Sequence, residues 1–526
     1  VLDQRPARDA VGSKAICQQR EVLDIWAAVG AGEQIAAEGV TWTTARTFHR
    51  GSELLRYSFA EAGRSAFPPF VNISQSRTEQ ILDTRITAEP LIDVRWGHRV
   101  TSIAQDPDGI TLTCANGASL SAPYLVVCCG ARDDGLRRQL GLSFDGHSFD
   151  DRFLICDIRA ELPGWATERR FHFDPEWNPG RQVLIHPCPD STFRIDWQVP
   201  AGYDLDAEVA SGALDARIRA IIGERDYEIV WSSVYRFHSR CVDRMRVGRV
   251  LLAGDAAHLV SPFGARGLNS GVADAENAAW KIAYAGRGWA GDELLESYHV
   301  ERHAAALENI EVTTATMDFL VPPDAERARR RAEVLAGAAT DPALRAQVDS
   351  GRLAEPYWYA DSPLTTPDPQ RPFAGRPPRG ALPPPGPGIL LPDAPVLAAD
   401  QPVPISAGDH GAGAWTSRPP GPRRARELAR DGFLLLAAAD ADLDVVGAAA
   451  ARAAGPCRVL ALPEIDPDGT LTTALAARPG EVWIVRPDAH IAATLTNPTL
   501  DDITAALDRA VANRKESPDG ALQAIR

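Results

Sequence analysis

Paired cysteines, long apolar runs and an excess of positive charge are all missing from this 526-residue sequence, and each gap excludes a class of protein. The 8 cysteines are scattered, with no CxxC and no Cys/His ligand spacing, so neither a structural metal site nor a dithiol centre is expected. Cys128 and Cys129 are adjacent and cannot easily bridge. The plain expectation is reduced, mostly buried thiols in a cytoplasmic protein. No segment approaches the roughly 20 apolar residues that span a bilayer, so no membrane partner is expected. The opening decapeptide VLDQRPARDA is charged from its third residue and does not read as a signal peptide. Lys and Arg total 55 against 70 Asp and Glu, a formal net charge of −15. Such a surface repels nucleic acid and anionic lipid, which removes both from the expected partners.

What the chain does hold is material for cores. Hydrophobic residues make up 45% and charged residues 24%, as in ordinary globular proteins, and 526 residues exceed a single core, so two or three domains are expected. Residues 1–150 read as α/β. Val1-Leu2-Asp3 looks like the end of a strand with an acid at its tip, and a helix follows from about Gln18 to Val29. From Leu91 to Cys129 the pattern is β. Val94, Trp96 and His98 alternate, Asp106-Pro107-Asp108-Gly109 makes a turn, Asn116-Gly117 a tight hairpin, and Tyr124 to Val127 a buried strand. Residues 151–240 carry strand-like runs at Phe153 to Ile158, Val183 to His186, Phe193 to Val199 and Ile229 to Phe237. They predict a mostly antiparallel domain that covers a substrate. Residues 241–330 hold a strand, a loop and helices ending near Leu320; 331–395 hold a helical segment and the Pro/Gly-rich linker PPRGALPPPGPG. Residues 396–515 form a further domain, in which 430–515 alternate β, α, β, α, β, β, α, with strands at Phe433 to Leu436, Arg458 to Leu462 and Val482 to Val485, and 516–526 form a tail.

The chemistry concentrates in Arg249-Val-Leu-Leu-Ala-Gly254-Asp255-Ala-Ala-His258 and the following Ser261-Pro262-Phe-Gly264-Ala-Arg266-Gly267-Leu268-Asn269-Ser-Gly271. A buried strand ends in Gly-Asp, and a glycine-rich loop then brings backbone close to a ligand. A helix is expected to start near Asn269 or Ser270, with Val272, Ala275, Ala279 and Ile282 on one face. Its first N–H groups and partial positive charge suit an anion, or a ring that becomes anionic. Asp255 is placed to accept from a sugar-alcohol hydroxyl.

This stretch resembles the flavin-contacting motif of the class A flavoprotein aromatic monooxygenases, in the branch of phenol hydroxylase, 3-(3-hydroxyphenyl)propionate hydroxylase and the polyketide hydroxylases. Leu294-Leu-Glu-Ser-Tyr298 with Glu301-Arg302 matches that family's next helix start. Gln75-Ser-Arg-Thr-Glu79 is similar to the segment whose glutamine contacts FAD. Gly12-Ser13-Lys14-Ala15 is similar to the segment near the pyrophosphate, with Lys14 where the family usually has Arg. The resemblance implies a p-hydroxybenzoate-hydroxylase-like, Rossmann-type FAD-binding α/β fold with a β-sheet substrate domain. The last segment resembles a thioredoxin-like domain, with Arg486-Pro487-Asp488 at its usual strand ending. Cys457 is the only cysteine there, so that domain is expected to be structural, packing at a homodimer interface or against the FAD domain.

Two departures accompany the likeness. Asp3 fits the acid that the family places on the adenosine ribose, so the strand and GxGxxG loop are expected upstream of residue 1, roughly 30 residues away. Without that loop the chain is expected to bind FAD poorly. The one GxGxxG present, Gly286 to Gly291, follows a helix and reads as chance. Finally, Cys129 replaces the Asp of the family's Asp-Gly motif, and Asp133 and Asp134 follow in the same loop. Cys129 is expected to be a small buried packing residue, with a reactive thiol as the alternative.

By resemblance, FAD is the cofactor and NAD(P)H the co-substrate. A small aromatic substrate, phenolic or polyketide-type, is hydroxylated with O2 through a flavin hydroperoxide. Asp3, Lys14, Gln75, Gly254, Asp255, Pro262, Gly264, Gly267, Leu268 and Asn269 would hold FAD, and Arg266 would stabilise the reduced flavin electrostatically. His186, Arg194, Trp197, Tyr235 and His238 are the substrate-side candidates, and no base is identified. Two other readings stand beside this one: a non-catalytic flavin-fold scaffold, and a flavin-dependent reductase or dehydrogenase on the same fold.

Overall fold

Extended runs of Val, Ile, Phe and Trp punctuated by Gly, Pro and Asp turns set the architecture. In the computed structural model the described residues are 1–8, 15–59, 61–132, 134–378, 380–397 and 423–513. Lys14, expected near the cofactor, and Asp133, in the loop after Cys129, lie outside them.

The N-terminal part begins with β1 (Cys17–Gln19), which runs into α1 (Arg20–Ala28). β1 and the strand Val40–Trp42 flank Phe70–Asn72, both antiparallel to it. Ser74 then caps α2 (Gln75–Ala88) by accepting from the Arg77 N–H. The expected strand through Val94, Trp96 and His98 does not form. That segment instead wraps the chain start, with the Asp3 N–H on Arg95 O and the His98 N–H on Asp3 O. Trp96 lies under the guanidiniums of Arg5 and Arg8, so its alternation is packing on loops rather than pleat.

An eight-stranded sheet dominates the middle of the molecule. Its strands are β2 (Thr44–His49), β3 (Ser52–Ser58), β4 (Phe144–Ala160), β5 (Glu168–Phe173), β6 (Gln182–Cys188), β7 (Thr192–Val199), β8 (Tyr227–Val242) and the short strand His258–Leu259. The sheet is wider than the span 151–240, because the β2–β3 hairpin joins it through a parallel pairing of β2 with β5. One face carries Leu154, Cys156, Val183, Ile195 and Trp197 and is covered by α3 (Ala213–Ile222). The other carries Phe153, Phe171, Phe173 and Leu184 against Phe263 and the later helices.

β9 (Val250–Leu252) pairs in parallel with Leu125–Val127 and leads into the motif loop. Two long helices follow, α4 (Arg266–Gly286) and α5 (Asp292–Leu320), then α6 (Ala325–Gly337). α4 starts three residues before the predicted Asn269, and its buried face also differs from the expected one. Ala275 and Ala279 are exposed, while Asp274, Asn277 and Lys281 are buried. Apolar periodicity misled because this face is polar and its partners come from elsewhere in the chain.

The C-terminal domain holds β10 (Phe433–Ala437), β11 (Cys457–Ala461), β12 (Glu481–Val485) and β13 (Ile491–Thr496) in the order β11-β10-β12-β13, with β11 parallel to β10 and the rest antiparallel. Helices Leu443–Ala450 and Leu500–Ala510 contribute to its core. The Pro/Gly-rich stretch is no loose linker, since the Gly388 N–H donates to Ile491 O, the Ile491 N–H to Ile389 O and the Leu391 N–H to Ala489 O, and Leu364, Leu391 and Ala394 are buried. The 8 cysteines form no disulfide; Cys457 is buried, and burial pushes its thiol up to about 12.

Candidate functional site

The loop between β9 and α4 is shaped by the absence of side chains. Gly254 has φ 58° and donates its N–H to Asp274 Oδ2 at 2.9 Å. A Cβ on Gly271 would lie 3.3 Å from the Gly254 Cα, so the helix approaches the turn through two glycines. Gly264 has φ 103°, and a Cβ there would meet Arg352 O at 2.2 Å. Ala265, in the left-handed region at φ 58°, is the residue from which α4 springs. Beyond it, Gly267 and Leu268 are half-buried in the first turn, whose N–H groups lack intrahelical acceptors. Asp255 and Pro262 are exposed.

Two expected contacts turn out to have structural partners. The Asn269 side chain accepts from Gln19 N at 3.1 Å and donates to Cys17 O at 3.1 Å, pinning α4 to β1. Arg266, 1% exposed, donates to Arg352 O (3.1 Å), Leu353 O (3.0 Å) and Asn309 Oδ1 (2.7 Å), and burial lowers its guanidinium to about 10. Gln75 heads α2, with its Oε1 3.4 Å from Ala15 N and its Nε2 donating to Glu79. Arg8 reaches Glu79 and Asp83 further along α2. Asp3 is held by Arg5, whose hydrogen bonds keep its carboxyl below the usual range.

Beneath the loop lies a buried charge network that the sequence reading did not assemble. Asp274 accepts from Gly254 N, His258 Nε2 (2.7 Å) and Arg302 Nε (2.7 Å). Burial opposes its ionisation, but Arg302 and His258 hold the carboxyl down to about 2. Arg302 also donates to Ser270 and to the Tyr359 hydroxyl at 3.0 Å. Asn277 bridges Tyr359, Glu301 and Asp488. Glu301 then accepts from Lys281 at 2.6 Å and from both Nη atoms of Arg486 at 2.6 and 3.0 Å. Burial opposes ionisation of Glu301 too, but two cations keep its carboxyl low, while Lys281, with one shared carboxylate, is pushed by burial down to about 8. The spacing of Asp274, Asn277 and Lys281 at i, i+3 and i+7 was the sequence signal for this face.

The substrate-side candidates do not share one surface. Trp197 is fully buried on the α3 side of the sheet, because residues two apart on β7 alternate in phase with Ile195. His186 and Arg194 occupy the opposite face. Arg194 forms a bidentate pair with Asp157 at 2.7 and 2.8 Å, and His186 lies edge-on to Trp42 at 6.3 Å, burial first and Arg169 second pushing its imidazole well down. Tyr235 is opposite Phe153 in register, and His238 Nδ1 is 2.7 Å from Ser148 Oγ. Cys129 was expected to be buried; it is exposed, in a turn that leaves β-structure directly after Val127.

A deep cavity opens beside this region, between α1, the end of β3, the segment Arg352–Trp358 and the C-terminal domain. Among the described residues, no helix is long and apolar enough to cross a membrane.

The family model described as FAD binding domain matches residues 1–313. A 3-(3-hydroxy-phenyl)propionate/3-hydroxycinnamic acid hydroxylase of Mycobacterium sp. (strain JLS) is 30% identical over 332 residues, 62% of this chain and 57% of that protein. A rifampicin monooxygenase of Streptomyces venezuelae is 34% identical over 288 residues, 53% of this chain and 58% of that protein. The chain thus spans less than two thirds of these relatives. The crystal structure of the flavin-dependent monooxygenase PieE in complex with FAD and substrate superimposes with a TM-score of 0.79 at 21% identity, covering 98% of this chain and 94% of that one. That likeness shows a shared mixed α/β fold over nearly the whole chain.

Proposed function

This chain belongs to the FAD binding domain family, and from that premise we propose that it is a FAD-dependent monooxygenase that hydroxylates a phenolic or polyketide-type aromatic ring with NAD(P)H and O2. The family match carries the reading, since it spans the Gly254–Asp255 turn and the start of α4 together.

The residues present fit a flavin dinucleotide. A turn free of Cβ atoms at Gly254 and Gly271, an exposed carboxylate at Asp255 and the first turn of α4 face one region. Gln19 Oε1, buried beside Arg266 and Asn269, has no hydrogen-bond partner among the described residues. Asp255 would accept from ribityl hydroxyls, and the N–H groups at Gly267 and Leu268 would face the polar edge of the ring. Gln75 would bind further along the cofactor, where α2 meets residue 15. Bound FAD supplies the redox chemistry, taking electrons from NAD(P)H and activating O2.

What the protein itself contributes is placement and charge. Negative charge developing near the first turn of α4 meets the helix N-terminus, with Arg266 fixed behind it by two backbone carbonyls. Asp274 holds the Gly254 N–H, so the turn carrying Asp255 cannot relax toward solvent. His258 and Arg302 keep Asp274 ionised for that task.

The test is NADH and NADPH oxidation against a panel of phenols, with oxygen uptake and mass spectrometry under 18O2. One 18O atom in the product is the expected result. Nucleotide oxidation without labelled product would make the protein a reductase, and FAD binding with neither nucleotide oxidation nor product would make it a scaffold.

A further inference from the structure

The cavity beside Arg352–Trp358 is not used by any of the motifs above. Tyr57, Phe59, Phe70, Trp358 and Leu390 give it aromatic and apolar walls, and Ala474 closes it from the C-terminal domain. Phe70, Tyr57 and Phe59 belong to one apolar cluster with Ala265, the residue from which α4 springs. The wall of the cavity is therefore continuous with the turn that presents the flavin loop.

One polar group in that wall is incomplete. Arg20 is 6% exposed, and its Nη2 pairs with Glu61 at 2.9 Å. Its Nε is buried and has no acceptor among the described residues. The other two guanidiniums in the lining are engaged, Arg352 by both oxygens of Glu355, and Arg426 by Asp24 and Leu391 O. A buried N–H without an acceptor is unfavourable, so a ligand oxygen placed there would gain more than one in water. Glu21 lies in the same wall, and the other carboxylate of the lining, Glu355, is paired with Arg352. Burial raises the Glu21 carboxyl from the ordinary range, while Arg426 and Arg20 act to lower it.

We propose that this cavity takes the flat aromatic body of the substrate and that Arg20 selects ligands bearing a carbonyl or phenolate oxygen. The proposal rests on the monooxygenase reading for the ligand's role as substrate. Apolar contact with the wall that includes Phe59, Phe70 and Trp358 supplies the affinity, and the Arg20 Nε–H supplies the discrimination, because a site built to donate rejects the analogue that cannot accept.

The experiment is calorimetric titration of the full chain with FAD added and no pyridine nucleotide, using 2-acetylnaphthalene and 2-ethylnaphthalene. We expect the ketone to bind at least about tenfold more tightly. Arg20→Met should abolish that ratio, Arg20→Lys should leave part of it, and Ala474→Trp should weaken both ligands by filling the cavity. Equal affinity for the two ligands, or binding untouched by Ala474→Trp, would overturn the assignment. Should Arg20→Met fail to fold, the Arg20→Lys and Ala474→Trp results decide. Ketone selectivity without any labelled phenol product would sink the monooxygenase reading and keep the cavity as a binding site. Phenol hydroxylation without selectivity would sink the cavity alone.

Discussion

At its first turn α4 offers backbone: Gly264, Gly267 and Gly271 keep side chains out of the way, and Asp255 opposite is exposed. Two turns later the same helix offers side chains, with Asp274, Asn277 and Lys281 buried and each tied to a partner on α5 or the C-terminal domain. The first end is made by subtraction and the second, the support end, by buried ion pairs. Substitutions at the two ends should therefore separate, one set changing cofactor affinity and the other changing stability.

The largest effect is expected at Glu301. Glu301→Ala leaves Lys281 buried without its carboxylate and Arg486 with Asp488 alone, which should cost about 3–5 kcal/mol in urea unfolding. A cost below about 1 kcal/mol would mean that water reaches the pair and that the support end is not dry.

Acid should act through the same end. Asp274 is depressed from 3.8 to about 2 in the folded chain, so its contribution is complete above pH 4 and is lost as pH falls through 2. That is roughly 2 kcal/mol from this one group. The urea midpoint measured from pH 5 to pH 2 should fall, and Asp274→Asn, already less stable at neutral pH, should show a shallower fall. Parallel curves for the two proteins would remove Asp274 from the acid response.

At the open end the signature reverses. Asp255→Ala should weaken FAD at least about tenfold, roughly 1.4 kcal/mol, while the melting temperature without cofactor stays unchanged because the side chain is exposed. A variant that purifies yellow with normal affinity takes Asp255 out of the site. The smallest effect belongs to Cys129. Being exposed, it should accept Cys129→Asp within about 0.5 kcal/mol, and an acid there should speed anaerobic flavin reduction by NAD(P)H a few-fold. An unchanged rate in stopped flow would leave the position without a part in nucleotide handling.

The glycine-lined turn before α4 was legible in the sequence, because glycines, a Gly-Asp turn and a helix start are local signals, although the helix begins three residues earlier than expected. The order of elements in the C-terminal domain was legible for the same reason: Phe433, Cys457 and Glu481 each begin short apolar runs between turns. The support end was not. Asp274 and Lys281 look like surface residues of an amphipathic helix until Arg302, Arg486 and Asp488 arrive from up to about two hundred positions away. Trp197 was misplaced because residue type does not say which face of a two-sided sheet a strand position takes; the register of β6 and β7 decides it. The β2–β3 hairpin escaped the sheet domain because its partner strand is more than a hundred residues further on.

The lock between Arg486, Asp488 and Glu301 bears on how freely this architecture can be recombined. A C-terminal domain grafted from a relative would bring its own β12 ending against α4 and α5, where Lys281, Trp280 and Glu301 present a fixed arrangement of donors and acceptors. A graft that keeps the arginine and the aspartate two positions apart completes that arrangement. One that changes either leaves charge stranded in a junction no solvent reaches, and the chimera should fail at assembly rather than at chemistry. The boundary for exchanging parts of this protein therefore runs through α4 and α5 and not through the proline-rich stretch between the domains.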